Sequence, residues 1–412
     1  MTLGKPRFVV SVALEGDGMS DTFSVTTRRS WFSRLGNSVV GVIIGLVLLV
    51  AMVVLLFWNE GRAVQTARSL IEGAGIVTSV PAAIIEPGNE GKLVHVTGDV
   101  ETWHKPTDQT FGITAEGIRL ERKSEMYQWK ETSKSDVKEE LGGAEETVTT
   151  YSYSKVWNDR PIDSARFKKP AGHDNPPMEI RSQEFQVPEA GLGAFELSQR
   201  LMSMVGGARD VSISPDLTSA IETAYSGTKR VTVADGRIYL GFNSTQPAVG
   251  DYRISYRLVP LGPVSVIGKQ SGHGFQSYQT QAGDALLMIE TGNLPADQMF
   301  ESAQSANTIM TWILRVVGVI FLWIGFALFM SPLRVVAAVI PFLGRLVGVG
   351  TSIAALLLAV LVGTVTIAIA WFWYRPLLSL AIIVAGFAIA YAVGKVGKAR
   401  GKTSVPVEPQ AA

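Results

Sequence analysis

Apolar positions along the chain gather into four long runs, Ser38–Trp58, 312–330, 350–373 and 377–393. Each is close to the ~20 residues that an α-helix needs to cross ~30 Å of hydrocarbon. Residues 59–311 read differently, with short apolar stretches broken by charges, glycines and prolines. The pattern predicts a multi-pass α-helical membrane protein with four transmembrane helices and one large extramembrane domain. A segment 1–37 precedes the first run, a loop 331–349 joins the second and third, and a tail 394–412 follows the last.

Within the polar domain, Val64, Ala67, Leu70 and Ile71 recur at helical spacing, which predicts a helix over 63–73. Strands dominate after it. Leu93–Val96 is a short apolar run, and Ser124–Lys130 alternates with Tyr127 and Trp129 on one face. Over Thr147–Trp157 the side chains of Tyr151, Tyr153 and Trp157 share one side, a clear period of two. Gly142-Gly143 between these runs reads as the loop of a long hairpin, and the proline-rich stretch 169–177 as a loop. A helix is predicted over 194–205, from Phe195, Leu197, Leu201, Met202 and Val205. Further strands fall at 237–242, 251–259, 264–268 and 285–290, and a helix over 296–310 feeds the second span. The domain is therefore α+β and mainly antiparallel.

Basic residues orient the spans. Arg28, Arg29 and Arg34 precede the first, Arg334 and Arg345 lie between the second and third, and Lys395, Lys398, Arg400 and Lys402 follow the last. The positive-inside rule places these segments, and both termini, in the cytoplasm and the large domain outside it, in a periplasm or lumen. The first run ends in Phe57-Trp58-Asn59-Glu60-Gly61-Arg62, without the small-residue site of a cleaved signal, so it reads as a retained anchor. Met19-Ser20-Asp21 reads as an alternative start, with residues 1–18 an extension or a disordered tail. The formal charge of +1 argues against a nucleic-acid partner, and the absence of cysteine excludes disulfides and thiolate chemistry.

Candidate chemistry is sparse. His95, His104, His173 and His273 are far apart, with no ligand spacing, and no metal or cofactor site is assigned. Ser152-Tyr153-Ser154-Lys155 fits Ser-x-x-Lys in form, but strand periodicity accounts for it; Ser271-Gly272-His273-Gly274 lacks the start of a nucleophile elbow and reads as a turn. No catalytic residue is assigned, and the chain is expected not to be an enzyme. The spans hold no Asp, Glu or His, and the one charge, Arg315, is expected to snorkel to the headgroups. Close-packing signals appear as Gly41-x-x-x-Gly45 and a ladder of Gly386, Ala390 and Gly394, suited to packing within the chain or between copies. Trp371, Phe372, Trp373 and Tyr374 form an aromatic belt, and Pro332–Gly348 is expected to lie at the inner interface. Asn243-Ser244-Thr245 is a glycosylation sequon that matters only in a eukaryotic lumen.

Six segments stand in an order that resembles the transmembrane protein 43 (LUMA) family: Trp58–Ala63 (WNEGRA), Asn89–His95 (NEGKLVH), Glu125–Trp129 (EMYQW), Gly172–Pro176 (GHDNP), Val249–Asp251 (VGD) and Tyr374–Leu377 (YRPL). The resemblance runs from about Ser33 to Lys398 and includes the arrangement of one span, a large domain and three spans. It implies a non-enzymatic scaffold, associated in animals with the nuclear envelope and endoplasmic reticulum and with complexes that include emerin and lamins. It carries over no catalytic residue. The missing cysteine and plain basic tail point to a bacterial inner-membrane member. Expected partners are the lipid bilayer and either further copies of the chain or other membrane proteins, with no nucleic acid and no small-molecule substrate. An oligomeric passive channel or a lipid-binding protein is the alternative.

Overall fold

The fold is that of a computed structural model, which describes residues 8–9, 21–377, 379–381, 384 and 386. The chain divides into two compact units, residues 1–33 with 68–304 and residues 34–67 with 305–412. Most of the fourth run, the tail 394–412, Met19, Ala390 and Gly394 lie outside the described residues.

The first unit is built on two mainly antiparallel sheets. One is nine-stranded among the described residues, and its backbone is β1 (Asp21–Arg29), β3 (Gly117–Glu139), β4 (Glu145–Asn158) and β5 (Tyr252–Pro260). The other is seven-stranded and centres on β2 (Leu93–Glu101) paired with β6 (Pro263–Ser271). Alternation explains both. On β5, Tyr252, Ile254 and Tyr256 point into one core with Leu120, Met126 and Ile238. On β2 and β6, Val94, Val96, Val264 and Val266 enter a second core with Leu192 and Phe195. The expected hairpin is present, with β3 and β4 in register from Met126↔Asn158 to Glu139↔Glu145 and Gly142 and Gly143 both at positive φ in its loop. The helix expected over 194–205 is shorter: Phe195–Leu197 is a strand, and only Gln199–Met204 is helical. The Ser198 hydroxyl accepts from Leu201 N and sets that boundary, while Phe195 and Leu197 enter the core with a period of two.

Residues 21–29 form β1, paired with β4 from Asp21↔Tyr153 to Arg29↔Glu145, and Phe8–Val9 pair in turn with β1. Arg28 bonds Glu146 (3.0 Å) and Glu140 (2.9 Å), and the Ser24 and Thr150 hydroxyls are 3.1 Å apart. β5 pairs with β3 only as far as Met126; over the remaining thirteen or so residues, about 40 Å, β3 pairs with β4, whose other edge carries β1. That extension is rich in Lys, Glu, Ser and Thr. A polar sheet with open edges cannot lie in hydrocarbon, so a bilayer-spanning first helix and a paired β1 are mutually exclusive. In this cysteine-free chain, Ser24→Cys with Thr150→Cys is expected to cross-link in detergent on mild oxidation and to stay unlinked in sealed membranes. Non-reducing gel mobility reads both.

The second unit is helical. α1 (Trp31–Ile76) contains the first apolar run and the helix expected over 63–73 without a break. α2 (Ala296–Phe329) contains the second run. The loop expected over 331–349 is instead α3 (Ser331–Ala337) followed by the first turns of α4 (Pro341–Tyr374), which contains the third run. Pro332 and Pro341 stand in first turns, where their missing N–H groups cost nothing, so they start helices rather than break them. These make three helices long and apolar enough to span a membrane among the described residues. α1 and α2 meet through small residues: a methyl on Gly45 would sit 2.7 Å from the Gly325 carbonyl, and one on Gly318 would sit 2.6 Å from Leu56. Gly41 and Gly45 therefore serve packing within the chain. Among the described residues outside its own stretch of helix, none has a heavy atom within 4 Å of where a methyl on Gly386 would be.

Candidate functional site

The polar residues of the helical unit converge where α1, α2 and α4 meet. Asn307, Thr311 and Arg315 recur every four residues on α2, so they line one face of it. Opposite them on α1 stands the tetrapeptide Asn59-Glu60-Gly61-Arg62. Asn59 Nδ2 donates to the Thr311 carbonyl (3.1 Å), and Asn307 Nδ2 to the Ala63 carbonyl (3.0 Å). Arg62 spreads its two Nη atoms over Asn307 Oδ1 (3.0 Å), Thr311 Oγ1 (3.1 Å) and Asn59 Oδ1 (3.3 Å).

Glu60 and Arg315 form the centre. Arg315 Nε donates to Glu60 Oε1 (2.6 Å) and Nη2 to Oε2 (2.8 Å), a bidentate pair, with side-chain exposures of 2% for Glu60 and 14% for Arg315. Trp371 Nε1, from the end of α4, donates to the same Oε2 at 2.8 Å. The guanidinium lies over the Trp312 ring (4.7 Å) and near that of Trp371 (5.7 Å), so indole faces complete its shell. At Gly61 the missing side chain is filled by the Tyr374 ring, which a methyl would approach to 2.6 Å.

This corrects the snorkelling expected for Arg315. The guanidinium turns inward, because a carboxylate with both oxygens available stands across the helix interface, and burying the charge alone would cost more than pairing it. Glu60 escaped sequence reasoning because it falls two positions past the run ending at Trp58. The four-residue spacing of Asn307, Thr311 and Arg315 along an otherwise apolar helix was the readable signal. Chemically the site is a clamp: each Glu60 oxygen is taken by a donor from α2 or α4.

The other sequence candidates stay apart. Ser152 and Lys155 face opposite sides of β4, as an odd spacing on a strand requires, and Lys155 Nζ lies over the Trp129 ring (4.8 Å). Gly272-His273 is the turn between β6 and the strand Gly274–Gln276. His104 is exposed, and the sequon Asn243-Ser244-Thr245 is in an exposed loop where Asn243 Oδ1 accepts from Thr245. His173 is buried, stacked on Tyr153 (4.0 Å) and edge-on to Trp129 (4.7 Å), with Nδ1 2.9 Å from the Lys169 carbonyl. Asn175 completes this aromatic corner by bonding both backbone groups of Trp129. Asp251 Oδ2 accepts from Tyr239 OH (2.6 Å) and Ala248 N (2.8 Å), and burial beside that carboxylate pushes the Tyr239 phenol well above its usual pKa.

His95 is buried on β2, with Nε2 2.9 Å from the Leu294 carbonyl and Nδ1 3.0 Å from Ser79 Oγ. Donation by Nε2–H to that carbonyl leaves Nδ1 to accept from the serine. Burial lowers its pKa. The native state therefore takes up its proton at lower pH than the unfolded chain, whose value is about 6.5. The neutral ring's contribution is complete above that value and is lost as pH falls towards the folded one. Stability of the natural chain is expected to drop more steeply than that of His95→Gln between pH about 7 and 5, read as thermal midpoints across that range.

Comparisons with known proteins follow the same residues. The family described as "Transmembrane protein 43" matches residues 126–376. The chain is 32% identical to Transmembrane protein 43 of Homo sapiens over 377 residues, covering 88% of this chain and 91% of that one. Its identity to the Mus musculus protein is 32% over 363 residues, 85% and 88% of the two chains. For the Transmembrane protein 43 homolog of Drosophila melanogaster it is 29% over 377 residues, 89% and 95%. No solved structure matches.

Proposed function

The chain belongs to the transmembrane protein 43 family, and from that premise we propose that it is a non-enzymatic integral membrane scaffold. It organises membrane protein complexes through its extramembrane domain and its helix packing. The observation that carries this reading is the use made of Asn59-Glu60-Gly61-Arg62. All four positions hold α1 against α2 and α4, so the most polar group at the helix ends is spent on fixing the bundle. The EMYQW, GHDNP and VGD segments are used in the same way inside the domain, in the aromatic corner and the Asp251 turn. Sheet edges in the one unit and packed helices in the other each suit association.

In this reading the run 377–393 is a fourth span, the corner at α3 and the tail beyond Lys395 face the cytoplasm, and the domain faces a lumen or periplasm. Residues 1–37 are cytoplasmic once α1 spans and β1 is released. Purification in mild detergent from the native membrane is expected to retain defined protein partners or further copies, with Arg315→Met losing them. Ion flux through liposomes containing the protein alone, without any retained partner, would favour the channel instead.

A further inference from the structure

We propose that the corner between α3 and α4 binds the phosphate of an anionic phospholipid headgroup through Arg334 and Arg345. The inference does not depend on the scaffold reading; it requires only that α2 and α4 sit in a membrane.

Arg334 of α3 lies along α4. A methyl on Gly348 would sit 3.2 Å from its Nε and 3.3 Å from its Cδ, so the arginine side chain rests close against the backbone at Gly348. Arg345 precedes Gly348 by three residues, which puts it on the same face one turn away. Both arginines are exposed, and they stand at adjoining turns of α4. Among the described residues neither forms an ion pair with a carboxylate. Through residues 34–67 and 305–407 the sequence contains a single acidic residue, Glu60, which is consumed by Arg315 and Trp371. Like charges on adjoining turns disfavour each other, and an anion between them reverses the sign.

Depth and surroundings identify that anion. From Gly348 to Trp371 α4 rises about 35 Å, so an indole at one interface puts the arginines at headgroup level on the other face of ~30 Å of hydrocarbon. Leu333, Val336, Phe342 and Leu346 around the pair are exposed, as contact with acyl chains requires. A phosphate diester supplies the oxygens for charge-assisted bonds to both arginines, and its chains cover the apolar rim.

Native mass spectrometry of the full-length protein, released from micelles with equal phosphatidylglycerol and phosphatidylcholine, tests this. The natural chain is expected to retain phosphatidylglycerol over phosphatidylcholine by roughly tenfold. Arg334→Gln with Arg345→Gln should abolish that preference, while Arg334→Lys with Arg345→Lys, which keeps the charge, should preserve most of it. Equal retention of the two lipids by the natural chain overturns the proposal. So does a preference that survives in the glutamine variant, or one that is lost in the lysine variant.

Discussion

Arg315→Met is expected to destabilise the protein by about 3–5 kcal/mol, the cost of leaving a buried carboxylate without its partner. Among the described residues Glu60 would keep the Trp371 indole N–H as its one donor. Glu60→Met alone should cost a similar amount, because the guanidinium would remain between two indoles with no counter-charge. The double variant, Glu60→Met with Arg315→Met, should recover most of the loss, since a well-packed apolar pair of similar volume replaces a desolvated ion pair at little net cost. That non-additivity is the signature of a clamp, as two residues acting independently would give losses that sum. Thermal or denaturant unfolding in detergent reads all three.

A second large effect is expected in the domain. Asp108 is fully buried and accepts from Arg122 Nη1 through both oxygens (2.8 and 2.7 Å) and from Tyr256 OH (2.7 Å). Arg122 and Tyr256 are cross-strand partners on β3 and β5, so the register of those strands aims both at one carboxylate. The guanidinium lies between the Phe111 (5.5 Å) and Phe185 (5.4 Å) rings and also reaches the Arg181 carbonyl and Gln183. Asp108→Ala would leave that cation buried and unpaired in the core, at a cost of about 3–5 kcal/mol. For a domain of this size the unfolding midpoint should fall by on the order of 10 °C. Asp108→Asn keeps an acceptor for Arg122 and should cost distinctly less. Burial and the neighbouring carboxylate hold the Tyr256 phenol far above its usual pKa, so this triad does not titrate through the tyrosine at ordinary pH.

What was legible in the sequence was whatever a local period could carry. The alternation through Tyr127 and Trp129, and through Tyr151, Tyr153 and Trp157, predicted both arms of the β3–β4 hairpin, and Gly142-Gly143 marked its loop. Long apolar runs predicted α1, α2 and the middle of α4. Failures came where a partner distant in the chain decided the outcome. β1 is a Thr- and Val-containing stretch with good strand character, but the strand it completes lies more than a hundred residues away. Arg315 and Glu60 are separated by 255 positions, so nothing near either one revealed the pair. Pro332 and Pro341 were ambiguous by nature, since proline ends one helix and begins another equally well. The segments behind the family resemblance were readable as motifs but not as contacts. Only the structure shows Gly61 receiving Tyr374, and Asn175 serving as a backbone partner for Trp129.

The scaffold reading stands or falls on association. Its most direct test is the native mass of the full-length protein in nanodiscs drawn from its own membrane, with lipids and bound proteins retained. A defined oligomer, or a stable complex with another membrane protein, is the predicted result. A clean monomer without partners would contradict it.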